Sequence, residues 1–191
     1  MSDDTYADPV TGVLRNRLGI DDAHGLAEAE AGITRAALVR LRNRTVPGRY
    51  DLTHLRAFHR AIFQDIYAWA GELRTVTIAK GEVFCLPRFI ESYAAEVFDA
   101  LAAENHLRRL GRGMFIERLA HYMGEVNALH PFREGNGRAQ RAFFHQLARD
   151  AGHPLDWRGL DPRDNIAASI AIMRGDPEPM RKMLDTLVDQ G

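Results

Sequence analysis

Apolar side chains recur every three to four residues along most of this chain. The spacing is clear in the segment from Gly25 to Arg44, where the apolar positions are Leu26, Ala29, Ile33, Ala37 and Leu41. Because an α-helix has about 3.6 residues per turn, this spacing places the apolar side chains on one face of a helix. A chain made of such helices must bury those faces against one another, so the pattern predicts a helical bundle.

The residues that begin and end helices predict where the other helices lie. A second helix is expected to begin at Asp51 or Thr53, either of which could cap it, and to run toward Trp69 before Gly71. The remaining predicted helices begin near Arg88, end before His130-Pro131, cover Arg138 to Ala151, and form a final pair over 162–174 and 177–188. No internal repeat or low-complexity linker interrupts the pattern, so residues 1–191 are expected to form one domain.

One short segment departs from helical spacing. Residues 75–78 are rich in β-branched side chains, and Lys80-Gly81 follows them as a turn signal. This combination is typical of a β-hairpin. The predicted fold class is therefore all-α, a helical bundle with one short β-hairpin.

Composition and charge exclude several classes of function. The net charge is −1, so no overall field favours nucleic acid or an anionic membrane, and no apolar run approaches the roughly 18 residues that span a bilayer. Cys85 is the only cysteine, which rules out an internal disulfide and favours a reducing compartment. The segment Met1–Asp4 lacks the basic and apolar parts of a signal peptide. We expect a cytoplasmic protein that binds neither nucleic acid nor membrane.

The segment from His130 to Arg141, HPFREGNGRAQR, carries the strongest signal for chemistry. It joins two predicted helices, and its glycines at 135 and 137 permit positive φ and leave room for backbone N–H groups to converge on an anion. The following helix adds its unpaired N–H groups and the positive end of its dipole, which suits phosphate. Arg138 and Arg141 lie one turn apart, so both can grip phosphate oxygens.

Two further side chains in this segment suit a transfer reaction on a nucleotide. His130 is a candidate general base that takes a proton from an incoming hydroxyl, a role worth roughly 10²- to 10⁴-fold in rate. Glu134 is a candidate Mg²⁺ ligand, since Mg²⁺ typically binds one or two carboxylates together with substrate phosphates. Each feature alone is common in proteins, but their presence within twelve residues favours a functional site.

This segment resembles the signature of the Fic family: histidine, proline, phenylalanine, then acid-glycine-asparagine-glycine-arginine and a second arginine. Every specified position is matched here. The resemblance extends to the segment Tyr67–Val76 with Lys80-Gly81 and Phe84, which is similar to the stretch that leads into the family's flap, and to the opening segment Tyr6–Ile20. Together these cover most of the chain.

The resemblance implies a protein adenylyltransferase that uses ATP and Mg²⁺ to transfer AMP to a hydroxyl of a target protein. His130 would be the base and Glu134 the metal ligand. Gly135, Asn136 and Gly137 would cradle the α- and β-phosphates, while Arg138 and Arg141 would hold the β- and γ-phosphates. A flap at about 76–86 would pair its backbone with the target, with Lys80 and Gly81 at its tip as weaker candidates for nucleotide contact.

The resemblance also separates reaction types. The related Doc toxins, which transfer phosphate, carry a lysine where this chain has Gly137. A glycine leaves space for the α- and β-phosphates, which favours AMP transfer. A phosphotransferase or other nucleotidyl-transferring variant and a catalytically silent nucleotide-binding module are the alternatives.

Many family members are silenced by a helix with Ser or Thr, three residues, Glu, and then Gly or Asn, whose glutamate pairs with the second motif arginine. Glu precedes Gly or Asn only at Glu104 and Glu134, and four residues earlier stand Ala100 and His130. The C-terminal segment 186–191 comes close, but it offers Gln190 in place of glutamate. The expected brake is therefore a small antitoxin that supplies a glutamate in trans. Small bacterial members of this kind resemble toxins that modify a tyrosine of type II topoisomerases, which makes such an enzyme the candidate target.

Overall fold

Seven α-helices form the described part of the chain. The structure, a computed structural model, describes residues 4–188, and within that range the side chains of Lys80 and Glu82 are left out of the description. The helices are α1 Ala23–Arg42, α2 Leu52–Phe63, α3 Ile90–Ala103, α4 Arg112–Leu129, α5 Asn136–Ala151, α6 Pro162–Met173 and α7 Glu178–Leu187. Short 3₁₀ turns lie at Pro87–Phe89, Asn105–Leu107 and Trp157–Gly159. The predicted all-α fold is confirmed.

Helix α4 lies at the centre of the bundle. Its buried side chains occur all around the helix rather than on one stripe, because α3, α5, α6 and α7 all pack against it. Gly124 lies where α6 comes close: a Cβ atom at this position would be less than 3.0 Å from the Ile172 side chain. The close approach of α6 brings this helix alongside the C-terminal end of α4, where the predicted catalytic histidine stands.

Helix α2 begins as predicted but ends earlier. The Asp51 side chain caps it by accepting a hydrogen bond from the backbone N–H of His54 at 2.8 Å. The helix ends at Phe63, although the apolar spacing continues toward Trp69. The backbone N–H groups of Ile66 and Tyr67 both donate to the Phe63 carbonyl, which turns the chain back. Apolar spacing continues through this turn because the turn itself is buried in the core.

The β-hairpin forms at the predicted place but is much shorter than the predicted flap. Strands β1 Ala79–Lys80 and β2 Glu82–Val83 have two residues each and pair in an antiparallel register. Gly81 at the tip has φ +83°, a conformation that favours glycine. Beyond these strands, one backbone hydrogen bond still joins the arms, from the Phe84 N–H to the Ile78 carbonyl at 3.3 Å.

No helix within residues 4–188 is both long and apolar enough to cross a membrane.

Candidate active site

The site is a cavity of about 580 Å³ where the α4–α5 loop, the hairpin arms and α6 meet. Helix α4 ends at Leu129, and His130 follows it in the left-handed conformation, with φ 43°. This turn sends the chain through Pro131 and Phe132 to Gly135, where α5 begins. The loop side of the cavity is lined by His130 and residues 133–138, 140 and 141. The facing side is lined by Val76–Ala79, Phe84, Asn165, Ile166, Ser169 and Ile170. All of the candidate residues between His130 and Arg141 therefore border one space.

The His130 side chain is nearly buried, and two contacts orient its ring. Its Nδ1 atom lies 3.2 Å from the Asn127 carbonyl. A hydrogen bond there requires the proton on Nδ1, which places the lone pair of the neutral ring on Nε2. The Phe84 ring stacks on the imidazole, with centroids 3.8 Å apart and planes inclined by 15°. The arrangement holds the imidazole in a fixed orientation at the wall of the cavity.

Arg74 joins both arms of the hairpin to the end of α4. Its Nε donates to the His130 carbonyl at 2.8 Å, its Nη1 to the Val76 carbonyl at 2.8 Å, and its Nη2 to the Cys85 carbonyl. The side chain is buried, and burial lowers the pKa of its guanidinium from the ordinary value. Because its acceptors are carbonyls, Arg74 fixes backbone positions at His130 and in both arms at once.

Two glycines shape the start of α5, where the anion site is predicted. Gly135 has φ +80°, as expected for a glycine in a sharp turn before a helix. The glycine at 137 lies inside the first turn of α5, and its φ is not positive. Its value lies in the missing side chain: an added Cβ would meet only the tip of Arg141, at 3.3 Å. The Arg138 N–H donates to the Gly135 carbonyl at 3.1 Å, whereas the N–H groups of Asn136 and Gly137 have no acceptor within the helix.

Asn136 has its side chain turned into the loop rather than toward the cavity. Its Oδ1 accepts from the Phe132 N–H at 2.9 Å, and its Nδ2 donates to the Phe132 carbonyl at 2.7 Å. The residue is 3% exposed. A contribution of Asn136 to phosphate binding would therefore come from its backbone N–H, while its side chain holds the loop closed.

The two motif arginines have different surroundings. The Arg138 guanidinium is held by the Glu30 carboxylate of α1, with Nη2 and Oε1 2.6 Å apart, and lies 3.5 Å from a Glu134 oxygen. The Arg141 guanidinium has no hydrogen bond or ion pair with any residue between 4 and 188. Burial first, and then the charge of Arg138, lower the pKa of Arg141. Arg141 is thus a cation at the cavity wall without an anion beside it in this part of the chain.

Glu134 fits the predicted role of a Mg²⁺ ligand. Its Oε1 accepts from the Gly135 N–H at 2.8 Å, and its side chain borders the cavity beside Arg138. Within residues 4–188, no group of three or more His, Cys, Asp or Glu side chains could hold a metal on its own. A single carboxylate suits Mg²⁺, which binds one or two carboxylates plus phosphates. Glu134 could hold the ion, which would supply positive charge to the phosphates.

The buried side chain of His59 binds the backbone carbonyl of Glu134. Its Nδ1 accepts from the Gly71 N–H at 2.8 Å, so its Nε2 carries the proton and donates to the Glu134 carbonyl at 2.9 Å. The ring is completely buried and stacks on Phe132, with centroids 4.0 Å apart. Burial lowers the pKa of His59 to about 4, so the residue is neutral at physiological pH.

The hairpin tip carries Lys80 and Gly81, the weaker candidates for contact with nucleotide. Gly81 is exposed at the tip and does not line the cavity. The side chain of Lys80 lies outside the described residues, so its role stays a prediction. On the hairpin side, the part of the described chain that lines the cavity is instead Val76–Ala79 and Phe84.

Four residues that the sequence analysis did not assign to the site support it: Glu30, His59, Arg74 and Phe84. Arg74 and Phe84 lie in the segments that carry the resemblance, but without an expected role. Glu30 and His59 lie on helices that the sequence predicts from their apolar residues, so these two polar residues received no role. Each bonds to a site residue more than 70 positions away in sequence. Only the fold brings these residues together.

A protein family and several known proteins match this chain. Residues 49–148 match the Fic/DOC family. The chain is 42% identical over 184 residues to protein adenylyltransferase VbhT of Bartonella schoenbuchensis, an alignment that covers 96% of this chain and 38% of VbhT. It is 41% identical over 190 residues to "Probable protein adenylyltransferase Fic" of Salmonella typhimurium, with 98% of this chain and 93% of that protein covered. The chain thus spans about two-fifths of the first relative and most of the second.

A solved structure shows a similar arrangement of the whole chain. The BepC protein of Bartonella tribocorum, a VirB-translocated effector crystallised with bound AMPPNP, superposes with a TM-score of 0.89 at 25% sequence identity. The superposition covers 96% of each chain.

Proposed function

Because this chain belongs to the Fic/DOC family, we propose that it transfers the AMP portion of ATP to a hydroxyl group of a target protein. The predicted family and the predicted class of enzyme, a protein adenylyltransferase, are confirmed by relatives about 40% identical over nearly the whole chain. The observation that carries the proposal is the shared cavity, in which His130 and the N-terminal end of α5 border one space.

In the proposed reaction, the target's hydroxyl oxygen attacks the α-phosphorus of ATP. A new O–P bond forms, the bond between the α-phosphorus and the bridging oxygen breaks, and pyrophosphate leaves. The hydroxyl proton passes to Nε2 of His130, whose Nδ1 faces the Asn127 carbonyl. A hydroxyl has a far higher pKa than the imidazole, so proton transfer accompanies the attack rather than preceding it.

The start of α5 and the two motif arginines would bind the triphosphate. The backbone N–H groups of Asn136 and Gly137, which have no acceptor within α5, would donate to phosphate oxygens, and the helix dipole favours negative charge there. Arg138 and Arg141 border the same cavity one turn farther along α5. Glu134 would hold a Mg²⁺ ion bound with the phosphates, and that ion would supply charge to offset the negative oxygens.

Gly137 supports AMP transfer over phosphate transfer. A lysine at this position would fill the space beside Arg141, where an added Cβ already comes within 3.3 Å of the guanidinium. With glycine, this space is available to phosphate, so the α-phosphorus can lie toward His130. ATP is the proposed substrate, in keeping with the AMPPNP that the BepC structure holds.

The hairpin is the proposed docking edge for the target. Its sheet has only two strands, so each strand has an outer edge whose backbone groups can pair with an extended segment. Val83 is exposed on β2. The acceptor would be a Tyr, Ser or Thr hydroxyl presented beside Phe84. A type II topoisomerase tyrosine is the candidate that the family resemblance offers.

The proposed biological role is that of a toxin controlled by a small antitoxin. Arg141 borders a narrow, largely apolar groove of about 140 Å³ between α1 and α5, lined among others by Leu38, Leu41, Ala142 and Trp157. A partner helix that packs over this groove would place one glutamate carboxylate on Arg141. Bacteria expressing the chain should stop growing, whereas the His130→Ala variant should be harmless. A wild-type chain that is harmless and never co-purifies with a partner would contradict this role.

The reaction itself is tested by mass spectrometry of a bacterial lysate incubated with ATP·Mg²⁺ and the purified chain. An AMP adduct on a discrete target protein is expected with the wild type and not with His130→Ala. The His121→Ala variant is a matched control, because His121 lies on α4, the helix that leads to His130, and is exposed and outside the cavity. Phosphate adducts would indicate a phosphotransferase. Nucleotide binding without any His130-dependent adduct would indicate a silent nucleotide-binding module.

A further inference from the structure

Helix α1 supplies a carboxylate to the first motif arginine. Glu30 accepts a hydrogen bond from Nη2 of Arg138 at 2.6 Å, although 108 residues separate them in sequence. One turn farther along α1, the Thr34 hydroxyl lies 3.3 Å from Nη1 of the same guanidinium. The Phe63 ring lies against the guanidinium, with its centroid 4.8 Å from the central carbon. Arg138 is thus fixed on three sides before any nucleotide binds.

The Glu30 carboxylate is itself held in place. Its second oxygen, Oε2, accepts a hydrogen bond from the Tyr67 hydroxyl, so both carboxylate oxygens are occupied. The Glu30 side chain is 13% exposed, and Tyr67 is fully buried. Burial, and then the bond to Glu30, raise the pKa of Tyr67 above its ordinary value, so the hydroxyl keeps its proton as the donor. Tyr67, Glu30 and Arg138 form a connected chain from the core to the cavity wall.

We propose that Glu30 is a positioning residue, which holds the Arg138 guanidinium ready to bind the β- and γ-phosphates of ATP. A guanidinium has five N–H groups, and Glu30 and Thr34 use two of them, which leaves three for other acceptors. A flexible arginine side chain loses conformational entropy when it binds a ligand. If folding has already ordered the side chain, that entropy is not lost on binding. This inference rests on the proposed function, because it assigns Arg138 to a nucleotide phosphate.

A competing role for Glu30 would be a brake. A carboxylate on Arg138 could exclude phosphate from the guanidinium, and its removal would then tighten ATP binding. The geometry favours positioning, since Glu30 lies on α1 behind Arg138 and does not line the cavity within the described residues. The second motif arginine, Arg141, which pairs with the brake in many relatives of this family, has no such partner within residues 4–188. The sign of the change in affinity separates the two roles.

The test is the affinity for ATP, ADP and AMP, measured by isothermal titration calorimetry on the wild type and on Glu30→Gln. Glutamine keeps the size of the side chain and removes the charge that holds Arg138. The dissociation constants for ATP and ADP should rise by about two- to tenfold, the range expected for ordering one long side chain, while that for AMP stays unchanged. Tyr67→Phe should shift them in the same direction by less, and it tests the proposal where Glu30→Gln does not fold.

Glu28→Gln is the matched control, because Glu28 lies on the same helix, largely exposed, with His24 3.5 Å from its carboxylate. It should leave all three affinities unchanged. Tighter ATP binding by Glu30→Gln would overturn the proposal in favour of a brake. An equal change for ATP, ADP and AMP would show a merely structural role, and unchanged affinities would show no role. A wild type that binds no ATP would instead refute the proposed function on which the inference rests.

Discussion

Replacing Gly135 by alanine tests how the start of α5 is built. Two separate costs follow from the structure. The residue has φ +80°, where an L side chain costs about 1–2 kcal/mol. An added Cβ would also lie well below 3.0 Å from the Phe63 ring, which is completely buried and cannot move freely. Overpacking of this kind costs about 1–3 kcal/mol, so Gly135→Ala should lower the free energy of unfolding by about 2–5 kcal/mol.

Gly152→Ala separates these two costs. Gly152 ends α5 with φ +91°, and no atom lies within 4 Å of an added Cβ. It should lose only the conformational part, about 1–2 kcal/mol. Gly137→Ala is a second control, because this glycine has helical backbone and meets only the mobile tip of Arg141. It should be neutral or more stable, by up to about 1 kcal/mol, since alanine favours a helix.

The assay is equilibrium unfolding in urea, followed by circular dichroism for the wild type and the three variants. The clash also predicts coupling: Phe63→Leu in the Gly135→Ala background should recover about 1 kcal/mol relative to the sum of the two single changes. If Gly135→Ala costs no more than Gly152→Ala, or if the double variant is strictly additive, then the contact with Phe63 does not constrain the loop and the reasoning is refuted.

Three further predictions concern the residues around the site. Phe84→Leu should lower the rate of AMP transfer by about two- to tenfold without changing the ATP affinity, since the stacking on His130 is lost; an unchanged single-turnover rate would contradict this. Arg74→Met should destabilise the fold by about 3 kcal/mol in urea unfolding, because buried carbonyls lose their donor; a loss below about 1 kcal/mol would show that water replaces it. The pKa of His59 is about 4 in the folded protein and 6.5 unfolded, so only the unfolded state binds the proton between these values. Stability should therefore fall by up to about 3 kcal/mol from pH 6.5 to pH 4, and a His59→Gln variant with the same pH slope would disprove that origin.

The helices could be predicted from sequence because local spacing and capping residues determine them. Asp51 caps α2 and Gly152 ends α5, as expected from residues that favour these positions. The end of α2 could not be predicted in the same way. Its apolar spacing continues beyond Phe63 because the following turn is also buried, and burial alone does not distinguish a helix from a turn.

The candidate site could be predicted where its residues are close in sequence. His130, Glu134 and Arg138 lie within nine residues, so any short connection between two helices brings them together. The length of the hairpin could not be predicted, because the carbonyls of Val76 and Cys85 accept hydrogen bonds from Arg74, which lies outside the hairpin. A β-branched segment shows that a strand can form, but it does not show how many residues will pair.

The different surroundings of the two motif arginines could not be predicted from their spacing in the sequence. They lie one turn apart on α5, but they face different residues of α1. One face of α1 carries Glu30, Thr34 and Leu38 at successive turns. The carboxylate and the hydroxyl meet Arg138, while Leu38 lines the groove beside Arg141. One arginine is therefore neutralised and fixed in the folded chain, and the other keeps an unbalanced charge beside an apolar surface. An anion that enters the cavity therefore meets a cation at Arg141 that no carboxylate of the described chain offsets. We expect Arg141 to bind a phosphate group, or a carboxylate that a partner protein brings into the groove.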